Sequence, residues 1–246
     1  YAKHYLPTFK QPEVRMMLSA FAAMEAVHQE AYSLLLETLG FNDDEYQKFF
    51  EHKEMLDKHE YLSNFGMGTP IDIAKTMAIY SAFTEGVQLF SSFAILLNFP
   101  RHNLMKGMGQ IVTWSVRDET LHVEGMSHLF RVFIQENPEL WTDDLKYEIY
   151  CAAERTVELE DAFIDLCFEG AEVPDLTAEE IKEYIRYIAD RRLLGLGMKK
   201  IFGSDVNPLP WLDYMLNGVE HTNFFENRAT EYSRASTTGN WKDIFK

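Results

Sequence analysis

The stretch "AMEAVHQEAYSLLLETLG", Ala23 to Gly40, sets Glu25, His28 and Tyr32 along one stripe of what reads as a long helix. Glu25 and His28 are three positions apart and Tyr32 lies four beyond His28, spacings that return to the same helical face. Phe21, Ala22, Leu35 and Leu36 flank them, so the stripe points inward. A carboxylate and an imidazole among apolar side chains cost free energy unless something compensates them, and a divalent cation would do so. Alone, a Glu-x-x-His is a weak signal, because a solvated ion pair on a helix surface has the same spacing.

The pattern recurs. "RDETLH", Arg117 to His122, gives Glu119 and His122 at the same spacing, among Ile111, Val112, Trp114 and Val123. Between the two motifs, Glu85 in "YSAFTEGVQLFSSFAILLNF" is the only acid from Asp72 to the end of an apolar helix. Dinuclear iron and manganese sites in helix bundles take a Glu-x-x-His from each of two helices and one carboxylate from each of two others. Hard oxygen donors with one imidazole per metal suit iron or manganese and leave coordination positions open. Glu25, His28, Glu85, Glu119 and His122 are the expected ligands. A fourth carboxylate is missing, since Glu13 lies on the same helix as Glu25, about 18 Å away along its axis. It is expected upstream of Tyr1; the alternative is a degenerate, half-empty site.

Outward from these motifs, the chain reads as long helices separated by short breakers. Helices are expected over Pro12–Thr38, with Gly40 as a left-handed cap, and over about Asp43–Tyr61. "GMGTP" places Thr69 as an N-cap with Pro70 at the first helical position, opening a helix to about Asn98. Others are expected over about Leu104–Gln135, Asp143–Phe168 and Ala178–Ile201, the last headed by the capping box "TAEE"; a short helix follows "NPLPW". No useful strand alternation or repeat is present, so the class is all-α, a large bundle of long helices.

The 246 residues suffice for one large domain, and 46% hydrophobic with 14% aromatic residues is enough for a substantial core. A net charge of −16 argues against direct nucleic-acid binding, which needs clustered Lys and Arg, and suits a basic patch on a partner protein. Cys151 and Cys167 read as small residues on buried helix faces rather than a disulfide, which points to a reducing, cytoplasmic setting. No signal peptide or membrane span is expected. His52 and His59 read as solvated, the adjacent Glu220 and His221 as structural, Trp114 as core packing and Trp141 as the start of the following helix.

Four blocks carry a more specific likeness: "MEAVHQEAY", "TEGVQLFSSFAILLNF", "MKGMGQIVTWSVRDETLH" and "NGVEHTNFFENRATEYSRAS". Over nearly its whole length the chain resembles the small, radical-generating subunit of class I ribonucleotide reductase. That resemblance implies a single ferritin-like domain over residues 1–246, with the five ligands above around a dinuclear iron or manganese centre. It implies that Tyr32 is oxidised to a tyrosyl radical and that Asp118 hydrogen-bonds His28 on the radical-transfer route. Leu89 and Phe93, with Val112 and Ser115 from another helix, would line the radical's pocket. The implied partners are a large subunit that reduces ribonucleotides, a second copy of the chain in a homodimer and, with manganese, an activating flavoprotein. The first carboxylate ligand and a relay tryptophan would lie upstream of Tyr1, and a docking tail beyond Lys246. A ligand-binding oxidase of similar fold, acting without a large subunit, uses the same residues and is the alternative reading.

Overall fold

Pro12 and Gly40 bound the helix carrying the first motif, as expected. In the computed structural model, which describes residues 1–42, 44–63, 66–170 and 173–218, that helix is α2 (Pro12–Thr38), preceded by the short α1 (Tyr5–Thr8). Gly40 adopts φ 81°, which lets Phe41 N reach back to Leu36 O at 3.0 Å and close the helix end. The described helices continue with α3 (Asp44–Lys48), α4 (Lys53–Ser63), α5 (Pro70–Ile79), α6 (Phe90–Arg101), α7 (Lys106–Glu136), α8 (Asp143–Phe168), α9 (Ala178–Gly195) and α10 (Pro210–Gly218). No strand occurs among the described residues. The chain divides into two compact units after Leu209, and α10 is the described helix of the second.

Local chemistry explains most boundaries. Thr69 caps α5 and Thr177 caps α9, each through a reciprocal capping box, with Asp72 and Glu180 bonding back to the cap amides at 3.0 and 2.9 Å. The charged segment expected as one helix over Asp43–Tyr61 is instead α3 and α4 joined by a 3-10 turn, Phe49–Glu51. The expected helix over Ala178–Ile201 stops at Gly195. Gly197 turns left-handed at φ 81°, and buried Asp190 collects the amides of Ile201, Phe202 and Ser204 at 2.8–3.1 Å. Those three hydrogen bonds go to a side chain, so the backbone there no longer needs helical partners.

In the first unit α7 is the central wall, packed against α2, α5 and α6, while α8 packs on α4, α5 and α9. Gly109 admits the close α6–α7 approach, since a Cβ there would lie 2.6 Å from Pro100 Cγ. The helix expected to end at "NFPRHN" runs through Pro100 to Arg101, and a left-handed Asn103 (φ 63°) turns the chain into α7. The segment Pro70–Arg101 is long and apolar enough to cross a membrane by composition, yet 67% of its most apolar window is buried inside the protein, as for the core helix of a bundle.

Two expectations about burial fail. Trp114 is 55% exposed rather than core, because it sits on the face of α7 opposite Val112 and Val116. Cys151 and Cys167 are free but only half-buried. His52 and His59 are exposed as expected. Glu220, His221 and nearly all of the block from Asn217 to Ser236 lie outside the described residues.

Candidate metal centre

Three helical segments bring the acids and imidazoles together: α2 supplies Glu25 and His28, a π-helical turn at Tyr80–Glu85 supplies Glu85, and α7 supplies Asp118, Glu119 and His122. Glu85, Glu119 and His122 are buried, and His28 nearly so at 9% exposure. One ligating atom from each of Glu25, Glu85, Glu119 and His122 lies within 4.8 Å of the others.

Glu25 and Glu119 sit between the two imidazoles and offer one oxygen to each. His28 Nδ1 is 3.2 Å from Glu119 Oε1 and 3.7 Å from Glu25 Oε2. His122 Nδ1 is 3.1 Å from Glu25 Oε1 and 3.4 Å from Glu119 Oε2. The far nitrogens differ. His28 Nε2 meets Asp118 Oδ2 at 3.0 Å, whereas His122 Nε2 faces Met24 Sδ at 3.4 Å. A carboxylate on Nε2 fixes the ring and leaves Nδ1 facing the cluster, as for a ligating histidine. Glu85 Oε2 accepts a hydrogen bond of 2.5 Å from the Tyr1 hydroxyl.

Crowding shifts the titrations. Hydrogen bonds to Glu119 and Glu25 raise the His28 pKa to about 10. Burial alone would lower His122, but Glu119 and Glu25 outweigh it and bring it to about 9. Burial also opposes the charge on Glu25, yet its bonds to His122 and His28 win, holding its pKa down to about 2. Desolvation is largest for Glu85, whose pKa rises to about 8. Even so, among the described residues buried Glu119 Oε2 and His122 Nδ1 make only the ion-pair contacts above and no well-aligned hydrogen bond. Buried polar atoms without such a bond are uncommon, and here both face the cluster.

Tyr32 lies on the next turn of α2. Its hydroxyl donates to Ser115 Oγ of α7 at 3.1 Å, and Ser115 in turn donates to Ile111 O at 3.1 Å. Burial raises the Tyr32 pKa, so the phenol stays neutral. A cavity of about 620 Å³ adjoins it, lined by Glu25, His28, Tyr32, Leu89, Phe93 and Ser115 among others. Phe93 is buried and Leu89, at 37% exposure, sits at the cavity rim; Val112 is fully buried one turn before Ser115.

Four contributors were not singled out from the sequence. Phe21 packs on His122 with ring centroids 4.4 Å apart, Tyr1 lies against both rings at 5.5 Å, Met24 faces His122 Nε2, and Tyr46 from α3 lines the cavity. Phe21 and Met24 share the helical stripe of Glu25 and His28, and that spacing was the available signal. Tyr46 comes from a separate helix, which no spacing reveals.

The family described as "Ribonucleotide reductase, small chain" matches residues 1–208. Ribonucleoside-diphosphate reductase small subunits of invertebrate iridescent viruses 3 and 6 are 48% and 45% identical; the alignments cover 96% and 100% of this chain and 68% and 79% of theirs. The beta subunit from Chlamydia pneumoniae is 33% identical, over 91% of this chain and 68% of its own length. Among solved structures, a ribonucleotide reductase R2 subunit from Clostridium botulinum superposes with a TM-score of 0.79 at 21% identity, covering 86% of this chain and 70% of that one. The dimanganese(II)-NrdF of Streptococcus sanguinis gives 0.72 at 22%, covering 85% and 72%. The fold is therefore the ferritin-like bundle of those structures, and the chain belongs to the ribonucleotide reductase small-chain family.

Proposed function

We propose that this chain is the radical-storing small subunit of a ribonucleoside-diphosphate reductase, with Glu25, His28, Glu85, Glu119 and His122 as ligands of a dinuclear iron or manganese centre. The observation that carries the metal reading is the buried cluster of four ligating atoms within 4.8 Å of one another, in which Glu119 Oε2 and His122 Nδ1 make ion-pair contacts but no well-aligned hydrogen bond among the described residues. Its donor set, carboxylate oxygens with two imidazole nitrogens, fits iron or manganese. When bound, such a centre supplies the oxidising power, drawn from oxygen or a reduced oxygen species, that the side chains lack.

The chain's own residues do the rest. Glu25 and Glu119, each turning one oxygen toward each imidazole, would help hold the centre. Asp118 holds His28 Nε2 and keeps Nδ1 turned inward. Tyr32 stores the oxidising equivalent. Burial disfavours the phenolate, so Tyr32 holds its proton at Oη and is the neutral phenol that the centre, when bound, would oxidise. Ser115 Oγ orients that hydroxyl. Phe93 and Val112 keep water from the ring, with Leu89 at the rim. The equivalent then passes, on a route through Asp118, to a large subunit that reduces ribonucleotides to deoxyribonucleotides. A homodimer, one domain over residues 1–246, a cytoplasmic setting and, with manganese, a flavoprotein activase complete the proposal.

Reconstitution tests it. The full-length protein loaded with Fe(II) under oxygen is expected to retain two metal ions per chain and to support ribonucleoside-diphosphate reduction only when a cognate large subunit is added. A preparation that binds no transition metal contradicts the metal reading. One that binds metal but supports no reduction contradicts the assignment of its role.

A further inference from the structure

The helix that carries Glu85 is broken immediately after it. Gly86 N, Val87 N and Gln88 N all turn to the Phe83 carbonyl. Phe90 N, which an unbroken α-helix would aim at Gly86 O, bonds Val87 O instead at 3.0 Å. Carbonyls in the break go to cations from distant helices. Gly86 O accepts from Arg192 Nε of α9 at 3.0 Å, and Gln88 O accepts from Lys58 Nζ of α4 at 3.1 Å. Such π-type irregularities concentrate at functional sites.

Both cations are held in place. Among the described residues no carboxylate pairs with Arg192, whose guanidinium lies over the Phe90 ring at 5.2 Å. Lys58 is fixed by buried Glu160 at 2.5 Å and lies 4.2 Å from the centre of the Phe163 ring; Ser91 also donates to Glu160. At Gly86 a Cβ would come within 2.2 Å of Ala82 O and 2.8 Å of Arg192 Nε, so glycine is what lets the Arg192 guanidinium approach this close. A helix break this close to a ligand would otherwise let Glu85 slide along the bundle. Two charge-assisted hydrogen bonds from α4 and α9 stop it.

We propose that Arg192 and Lys58 are positioning residues for Glu85: they seize the Gly86 and Gln88 carbonyls in the helix break and thereby fix where the Glu85 carboxylate enters the metal cluster. The proposal rests on the metal reading above, and its ligand is the divalent cation itself. It separates from a purely structural role, in which the two cations only staple α4 and α9 to the core.

The test is Mn(II) titration of the full-length, metal-free protein, alone and with Glu85→Ala, while melting of the metal-free forms is followed separately. Arg192→Met is expected to loosen Mn(II) binding about tenfold, the lower end for residues that orient a ligand from behind. Arg192→Lys is expected to recover part of that loss. In the Glu85→Ala background the same Arg192→Met change should alter affinity less than about twofold, since the residue it positions is gone. Affinity unchanged by Arg192→Met, or an equal loss in both backgrounds, overturns the proposal whatever the melting temperature does. Should Arg192→Met not fold, Arg192→Lys carries the same cycle: a smaller loss present with Glu85 and absent without it supports the proposal, and its appearance in both backgrounds overturns it. Failure of the parent protein to bind Mn(II) or Fe(II) would instead sink the metal reading.

Discussion

Asp118 touches the cluster only through His28, and its carboxylate decides which ring nitrogen faces inward. Asp118→Asn keeps the shape and loses the charge. It is predicted to weaken Mn(II) affinity by roughly tenfold to a hundredfold. Its effect on the melting of the metal-free protein should be small, because the side chain is 30% exposed. Titration of the variant beside its parent checks both parts. The raised pKa values give a pH dependence with a definite sign. His28 near 10, His122 near 9 and Glu85 near 8 all hold protons at neutral pH in the metal-free protein. A cation must displace those protons, so affinity should climb steeply as pH rises from about 6 to about 8, with proton release on binding. Calorimetry in buffers of different ionisation enthalpy measures that release, and pH-independent binding would contradict the arrangement.

At the scale of elements, the close α6–α7 approach makes a prediction through a single atom. Gly109→Ala places a methyl 2.6 Å from Pro100 Cγ, part of a ring that cannot rotate away. Overpacking of about 1–3 kcal/mol should outweigh the helix propensity of about 1 kcal/mol gained by removing a glycine, for a net loss near 1 kcal/mol. Gly107→Ala, which meets nothing within 4 Å, should cost nothing, and denaturant melts of the pair make the comparison. Elements also mark where sequence reading stops. The two Glu-x-x-His helices were legible because their ligands share a stripe with apolar residues, so burial and chemistry repeat with one period. The caps at Thr69 and Thr177 were legible because they are local. The π-helical turn before Gly86 was not, since it persists through Arg192 and Lys58, residues 106 and 30 positions away from the carbonyls they bond. The stop of α9 at Gly195 was missed for a related reason: Asp190 captures amides of the loop, and periodicity does not register a side chain replacing a helical acceptor. Trp114 was misjudged because an apolar residue on an amphipathic helix can lie on either face.

At the scale of the molecule, a cluster built by the fold couples cation binding to folding. A ligand that binds only the folded state stabilises it by about 2.7 kcal/mol at a hundred times its dissociation constant. For a chain of this size that corresponds to about 5–10 °C in melting temperature. Chelator-treated protein should therefore melt below metal-loaded protein by that order, a gap that Glu85→Ala should narrow. Glu25, Glu85, Glu119 and His122 converge from α2, the π-helical turn and α7, with His28 Nδ1 3.2 Å from Glu119 Oε1. Their bridging pattern, one oxygen of Glu25 and one of Glu119 toward each imidazole, needed three dimensions to see.

On the function proposed above, the metal centre held by this cluster oxidises Tyr32. Electron paramagnetic resonance of the full-length protein, loaded with Fe(II) under oxygen or with Mn(II) and a flavoprotein activase, tests it most directly. A tyrosyl radical signal is expected in the parent and its loss in Tyr32→Phe, with metal content unchanged. An undiminished tyrosyl signal in Tyr32→Phe would contradict it, as would a metal-replete parent with no radical.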